Sequence, residues 1–298
     1  MRPSPRRPPR LQPGDTVAVV APAGPVPRAG LLAGLARLGD RYRLRYDEAV
    51  FTRTGFLAGD DRRRLDELHR ALGDPTVRAV LCARGGYGIM RLLPELVLGE
   101  PKLVVGFSDV TALHGALLRH GQASLHGPTL THLGVLDEGH AAAYLAALES
   151  PTPPPPWAGL GGLVPGVGSG LAIGGNLELV TRLLATPWAL PLDGNVLFLE
   201  DVGERPYRLD RALTQLELAG ARRLAAVVVG ELVSCEAADG SGPSADEVVA
   251  ERLARLGVPV VTGAPFGHGT RNLPFPHGVP VTVDATRGEV TFLDGAVA

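Results

Sequence analysis

Short β-branched runs alternate along this chain with stretches in which leucine recurs every three or four positions. Thr16–Val20, Tyr42–Tyr46, Val77–Cys82 and Lys102–Val105 have the apolar content of buried strands. Ala29–Leu38, the charged segment from Asp60 with Leu65, Leu68 and Leu72, a stretch through Leu92, Leu93 and Leu96, and Val110–Leu118 have helical spacing. Strands and helices joined by short glycine-bearing links predict an α/β domain of flavodoxin-like type, a parallel sheet covered on both faces. Functional loops of such sheets follow the strand C-termini. The segments 21–27, Arg84–Gly88 and Gly106–Asp109 occupy such positions and are expected to share a crevice.

The pattern breaks at Pro151–Trp157, which holds five prolines and continues into the glycine-rich 159–170. Consecutive prolines suit neither helix nor central strand. The expected organisation is an N-terminal α/β domain over 1–150, a spacer over 151–170 and a C-terminal domain over 171–298. In the last, Leu171–Ile173, Asn195–Leu199, Ala226–Val229 and Pro259–Thr262 read as strands. Helices are expected from Gly174 to Leu184, Tyr207 to Leu218 and Ala245 to Leu256. The alternating tail runs Val279–Val283 and Glu289–Phe292 suit a small barrel-like or curled sheet.

Composition narrows the function classes. Hydrophobic residues are 45% of 298, enough for substantial cores, and the formal net charge of −2 gives no support for nucleic acid or an anionic membrane as partner. Cys82 and Cys235 make neither a disulfide framework nor a zinc site. The basic start Met1–Arg10 followed by apolar Val17–Ala23 faintly resembles a leader. Pro13-Gly14-Asp15 interrupts it, so a first strand and a cytoplasmic location are the expectation. HExxH, GxSxG and GxxxxGK are absent, and no metal or cofactor is expected.

The run Leu103–Gly106 meets Phe107-Ser108-Asp109 and then a helical stretch, so Ser108 stands on a strand-to-helix corner. Such a corner suits an acyl-transfer nucleophile. On these residues alone the plain reading is a helix cap. A nucleophilic serine needs a base and an orienting acid. Among eight histidines, His268 lies between two glycines in a loop with Arg271 and Asn272, suited to an open site. His126 is a second crevice candidate, and His277, before Gly278, reads as a turn residue. Leu197–Leu199 ends in Glu200-Asp201, two carboxylates at a strand end, one of which can face the crevice.

Five segments together resemble the LD-carboxypeptidase (peptidase S66) family, in order and separation: ARGGYG from Ala83, GFSDVT from Gly106, GGNL from Gly174, LED from Leu199 with Tyr207-Arg208 and Asp210-Arg211, and GHGTRN from Gly267 with Pro276. The resemblance covers nearly the whole chain from Gly14. Phe107 stands where the family often has tyrosine, and His277 where an apolar residue is usual.

The resemblance implies a catalytic triad of Ser108, His268 and Glu200, shared between two domains. It also implies a homodimer and a serine carboxypeptidase that releases terminal D-alanine from cell-wall muropeptide tetrapeptides in peptidoglycan recycling. The family's microcin C immunity branch, which cleaves aminoacyl- or peptidyl-nucleotide toxins, is the alternative. A non-catalytic two-domain binding protein is the second alternative. A nucleotide-dependent Rossmann enzyme is disfavoured because no intact GxGxxG follows a strand. For the oxyanion, the Asp109 N–H and a backbone N–H of Gly85 or Gly86 are expected donors. Arg84 and Asn176 are expected to hold substrate.

Overall fold

A computed structural model describes residues 4–237, 240 and 242–298. The chain divides into two compact units. The first runs to Thr152 and takes in Leu273–His277 and Gly295–Ala298; the second comprises Pro153–Asn272 and Gly278–Asp294.

The first unit contains β1 (Thr16–Val20), α1 (Arg28–Leu38), β2 (Arg43–Arg45), α2 (Asp61–Gly73), β3 (Val77–Cys82), β4 (Leu103–Gly106), α3 (Thr111–Arg119), β5 (Ser124–His126), α4 (Leu130–Leu133) and α5 (Glu138–Glu149). The five strands are parallel in the order β5-β4-β3-β1-β2. All residues of β1, β4 and β5 and all but Arg78 of β3 are buried, as expected where helices cover both faces. Only β2 is polar, with Arg43 and Arg45 exposed, which suits its place at the edge. A sixth strand, Phe275–His277, comes from far along the chain and pairs antiparallel with β5.

The stretch expected as a helix through Leu92 and Leu96 is two 3₁₀ turns, Ile89–Arg91 and Leu93–Glu95. Pro94 has no N–H to continue an α-helical ladder, so the apolar spacing buries side chains without a long helix. His277 is no turn residue: it ends the late strand, fully buried, with its ring stacked 5.2 Å from that of His114.

The second unit adds β6 (Gly161–Val164), β7 (Val167–Asn176), α6 (Leu177–Leu183), β8 (Val196–Val202), α7 (Pro206–Leu218), β9 (Ala226–Val233), α8 (Ala245–Ala254) and β10 (Val260–Thr262). After the late strand, which is β11, come β12 (Pro280–Asp284) and β13 (Glu289–Phe292). The strand order is β13-β12-β7-β8-β9-β10-β6. Strands β7 to β10 are parallel; β12, β13 and β6 flank them antiparallel, giving a mixed, curled sheet. Trp157, Phe198, Phe266 and Phe292 interlock in its core, with ring centroids 5.3 to 6.2 Å apart.

The glycine-rich part of the expected spacer is folded, since 161–164 and 167–170 lie in strands. Glycine lets these strands approach neighbouring backbone: a Cβ at Gly168 or Gly170 would lie 2.0 and 2.3 Å from a carbonyl oxygen. Among the described residues no helix is long and apolar enough to cross a membrane.

Candidate active site

In the first unit the β4 strand ends at Gly106 and the chain turns through Ser108–Val110 into α3. Ser108 has φ +64, one of three non-glycine residues in the left-handed region among those described. Such a conformation costs about 1–3 kcal/mol and persists only where the surroundings enforce it. No side-chain capping bond is made at the start of this turn or of α3, so the plain cap does not describe Ser108.

Two other loops meet this corner. Gly85 lies against it so closely that a Cβ there would come within 2.8 Å of Ser108 Cβ and 3.0 Å of its Oγ. The Gly24 N–H donates to the Gly85 carbonyl at 3.0 Å. The three strand-end loops expected to share a crevice therefore adjoin one another within this unit. Gly86, at φ +112, is exposed. Arg84 is exposed and its Nη1 donates to the Pro25 carbonyl at 2.7 Å, bracing one loop on the other.

Behind these loops stands a charged layer that the sequence reading, which took only the leucines of α2 as its inward face, did not identify. Glu67 accepts from the Ala21 N–H at 2.6 Å and pairs with Arg63. Arg64, fully buried, donates to the Pro22 carbonyl at 2.5 Å and pairs with Asp61. The available signal was position: Arg64 is four residues before the core residue Leu68, on the inward face of α2. His126 does not line the crevice; it is fully buried, stacked 4.4 Å from Phe275.

In the second unit, Glu200 and Asp201 lie inside β8 rather than after it, 0% and 3% exposed. The β8–β9 register shifts between Leu199 and Asp201. A bulge of this kind re-aims side chains, which is how two consecutive acids can both be internal. Glu200 Oε2 accepts from His268 Nδ1 at 2.6 Å. With Nδ1 carrying the hydrogen, Nε2 holds the lone pair that can take a proton. Burial opposes charge on His268, but the Glu200 hydrogen bond and the charges of Glu200 and Asp201 outweigh it and raise its pKa.

Asn176 ends β7 beside Glu200. Its Nδ2 donates to Asp201 Oδ1 at 2.9 Å and to Glu200 Oε1 at 3.4 Å, while its Oδ1 caps α6 by accepting from Leu179 N–H. That amide is engaged in holding the two carboxylates. Burial, then the charge of Glu200, pushes Asp201 up to about 7. The His268 loop is fixed on β9: the Glu231 N–H donates to the Phe266 carbonyl at 2.9 Å, and Arg271 pairs with Glu231 at 3.0 Å. Among the described residues no group of three or more His, Cys, Asp or Glu side chains is arranged to hold a metal ion.

A strained serine corner on one sheet and a carboxylate-anchored imidazole on the other are the parts from which serine hydrolases are built. Residues 17–127 match the LD-carboxypeptidase N-terminal domain and residues 169–283 its C-terminal domain. The murein tetrapeptide carboxypeptidase of Pseudomonas aeruginosa is 36% identical over 292 residues, covering 91% of this chain and 94% of its own. The crystal structure of muramoyltetrapeptide carboxypeptidase from Oxalobacter formigenes superposes with a TM-score of 0.82 at 30% identity, covering 93% and 97% of the two chains. The microcin C7 self-immunity protein MccF, in complex with aspartyl sulfamoyl adenosine, shares the fold at TM-score 0.87 and 21% identity, covering 99% and 100%. The chain belongs to the LD-carboxypeptidase family.

Proposed function

We propose that this protein is a serine carboxypeptidase that cleaves the L,D-peptide bond releasing terminal D-alanine from muropeptide tetrapeptides. The observation that carries the reading is the hydrogen bond that His268 Nδ1 donates to buried Glu200 at 2.6 Å, which supports a base role for the imidazole. In the proposed reaction Ser108 Oγ attacks the carbonyl carbon of the scissile bond. His268 Nε2 takes the hydroxyl proton and passes it to the departing D-alanine amine. The oxyanion is held by the Asp109 N–H and a Gly85 or Gly86 N–H. Water, deprotonated by the same imidazole, then releases the tripeptide acid from Ser108.

The 36%-identical murein tetrapeptide carboxypeptidase supports a muropeptide substrate; resemblance to the immunity protein keeps an aminoacyl nucleotide as the competing substrate. The test is mass spectrometry of a muropeptide mixture and of an aminoacyl sulfamoyl adenosine, each incubated with the protein and its Ser108→Ala variant. Loss of one D-alanine, absent with Ser108→Ala, is the expected result. Turnover of the adenosine compound alone would assign the other substrate. Near-normal turnover by folded Ser108→Ala would end the serine mechanism.

A further inference from the structure

The side chain of Asp109 has no part in the reaction as written; only its N–H does. Yet the residue next to the nucleophile is 1% exposed and reaches out of its own turn. Its Oδ2 accepts from the Ile89 N–H at 2.9 Å, twenty residues away in the chain. The Gly88 backbone also favours its ionised form. Asp109 thus holds the far end of the same loop whose near end, Gly85, abuts Ser108.

That loop has no regular structure of its own between Cys82 and Ile89. Gly88 has φ +134, and a Cβ there would come within 2.5 Å of Arg64 Nη1 and 2.7 Å of Leu57 Cδ2. Larger residues are excluded on that side, so the loop's course is set by Arg64 and Leu57 from one direction and Asp109 from the other.

We propose that Asp109 is a positioning residue: its carboxylate fastens the Arg84–Ile89 loop to the serine corner, so that the Gly85 and Gly86 N–H groups stand where the oxyanion forms. The inference rests on the carboxypeptidase reading above. It assigns the side chain of Asp109 a purpose separate from that of its N–H. A donor held rigidly before reaction contributes most to lowering the barrier, and one left to wander contributes little. The defect from losing the fastening therefore belongs in kcat rather than in KM.

The site also titrates. Burial raises Asp109 to about 6, against the opposing Ile89 and Gly88 N–H groups and the Arg64 charge. The charged and titratable groups that bear on it are Arg64 from α2 and the Cys82 thiol of β3, itself held neutral by burial. Below about pH 6 the carboxylate gains a proton and its grip on the loop weakens. His268 is protonated first as pH falls, since its pKa lies above the ordinary 6.5, and with that proton it ceases to act as a base. Two protonations therefore lower native activity in acid, and only that of His268 does so in Asp109→Asn.

The experiment compares the full-length protein, Asp109→Ala, Asp109→Asn and Ser108→Ala on a muropeptide tetrapeptide, with hydrogen exchange of the 84–89 backbone. In Asp109→Ala the Ile89 amide should exchange at least about ten-fold faster, and kcat should fall about 10²-fold with KM within about three-fold. Asp109→Asn, whose Oδ1 still accepts from Ile89, should recover at least about ten-fold of that loss. Its acid limb of log(kcat/KM) should keep unit slope through pH 6, where the native profile takes an additional step and its slope exceeds one.

Native kcat in a folded Asp109→Ala, fast loop exchange without a kcat defect, or Asp109→Asn no better than Asp109→Ala would overturn the inference. If Asp109→Ala does not fold, the slope and exchange of Asp109→Asn decide: a native second proton step sinks the idea. Turnover by Ser108→Ala would instead remove the underlying serine reading, while the exchange data would still report on the fastening.

Discussion

At the scale of single residues, the Glu200–His268 pair sets the expected pH behaviour. Because Glu200 and Asp201 raise the His268 pKa, the proposed base is neutral only above the ordinary histidine range. Activity should fall as pH drops through that raised value. Glu200→Gln should move this acid limb downward and lower kcat by about 10³–10⁴-fold, because an amide presents its N–H to Nδ1 and favours the wrong tautomer. A kcat/KM profile of the residual activity checks both. Asn176 separates substrate binding from support. Asn176→Ser keeps an oxygen to cap α6 but loses the amide that reaches Asp201 and Glu200. About a ten-fold loss in kcat with unchanged KM is expected from removing hydrogen bonds to charged groups. A raised KM with native kcat would return Asn176 to the substrate.

At the scale of elements, the late strand β11 carries a buried imidazole onto α3. His114 bonds Ser124 Oγ and the Gly106 carbonyl, and burial lowers its pKa to about 4. Burial, then His114, also lowers His277 well below its usual value. A histidine with a depressed folded pKa stabilises fully above its unfolded value near 6.5, and that stability is lost as pH falls toward the folded value. Each adds a slope of about 1.4 kcal/mol per pH unit in that window. His277→Leu should flatten the dependence of unfolding free energy on pH by about one proton, as measured by urea denaturation between pH 4 and 7. An unchanged slope would refute the assignment.

The same elements show what could be read from the chain. The strands Thr16–Val20, Val77–Cys82 and Glu289–Phe292 were legible to the residue, because continuous or alternating apolar runs were closed by turn residues. β5, β6 and β11 were not: they are three or four residues long, and Gly161-Gly162 and Pro276 carry no strand pattern of their own. Pairing with neighbours, not local preference, makes them strands. The serine corner and the His268 loop were visible as motifs. The inward face of Arg64 could be read from its spacing to Leu68, but its bond to Pro22 and the loop-holding reach of Asp109 are contacts across 20 residues or more, which no local spacing reveals.

At the scale of the whole molecule, the first unit is assembled from three separate pieces of chain. The C-terminal tail returns to it: Ala298 and Arg10 are joined at 3.1 Å, Ala298 and Pro8 at 2.9 Å, and Ala296 and Val297 lie in its core. Burial of a valine is worth about 1.5–3 kcal/mol. Deletion of 295–298 should therefore cost the first unit roughly that much, lowering its thermal midpoint by several degrees in a calorimetric scan. An unchanged midpoint would show the tail to be dispensable.

The borrowed strand bears on how such a chain can be recombined. Swapping the C-terminal halves of two relatives at a single junction near residue 152 exchanges more than the half that bears Glu200 and His268. It also hands each N-terminal sheet a foreign border strand, with whatever side chain the donor has in place of His277. Working hybrids should accordingly require that residues 273–277 and the last four travel with their original front half, or that the imidazole layer be rebuilt to receive the newcomer.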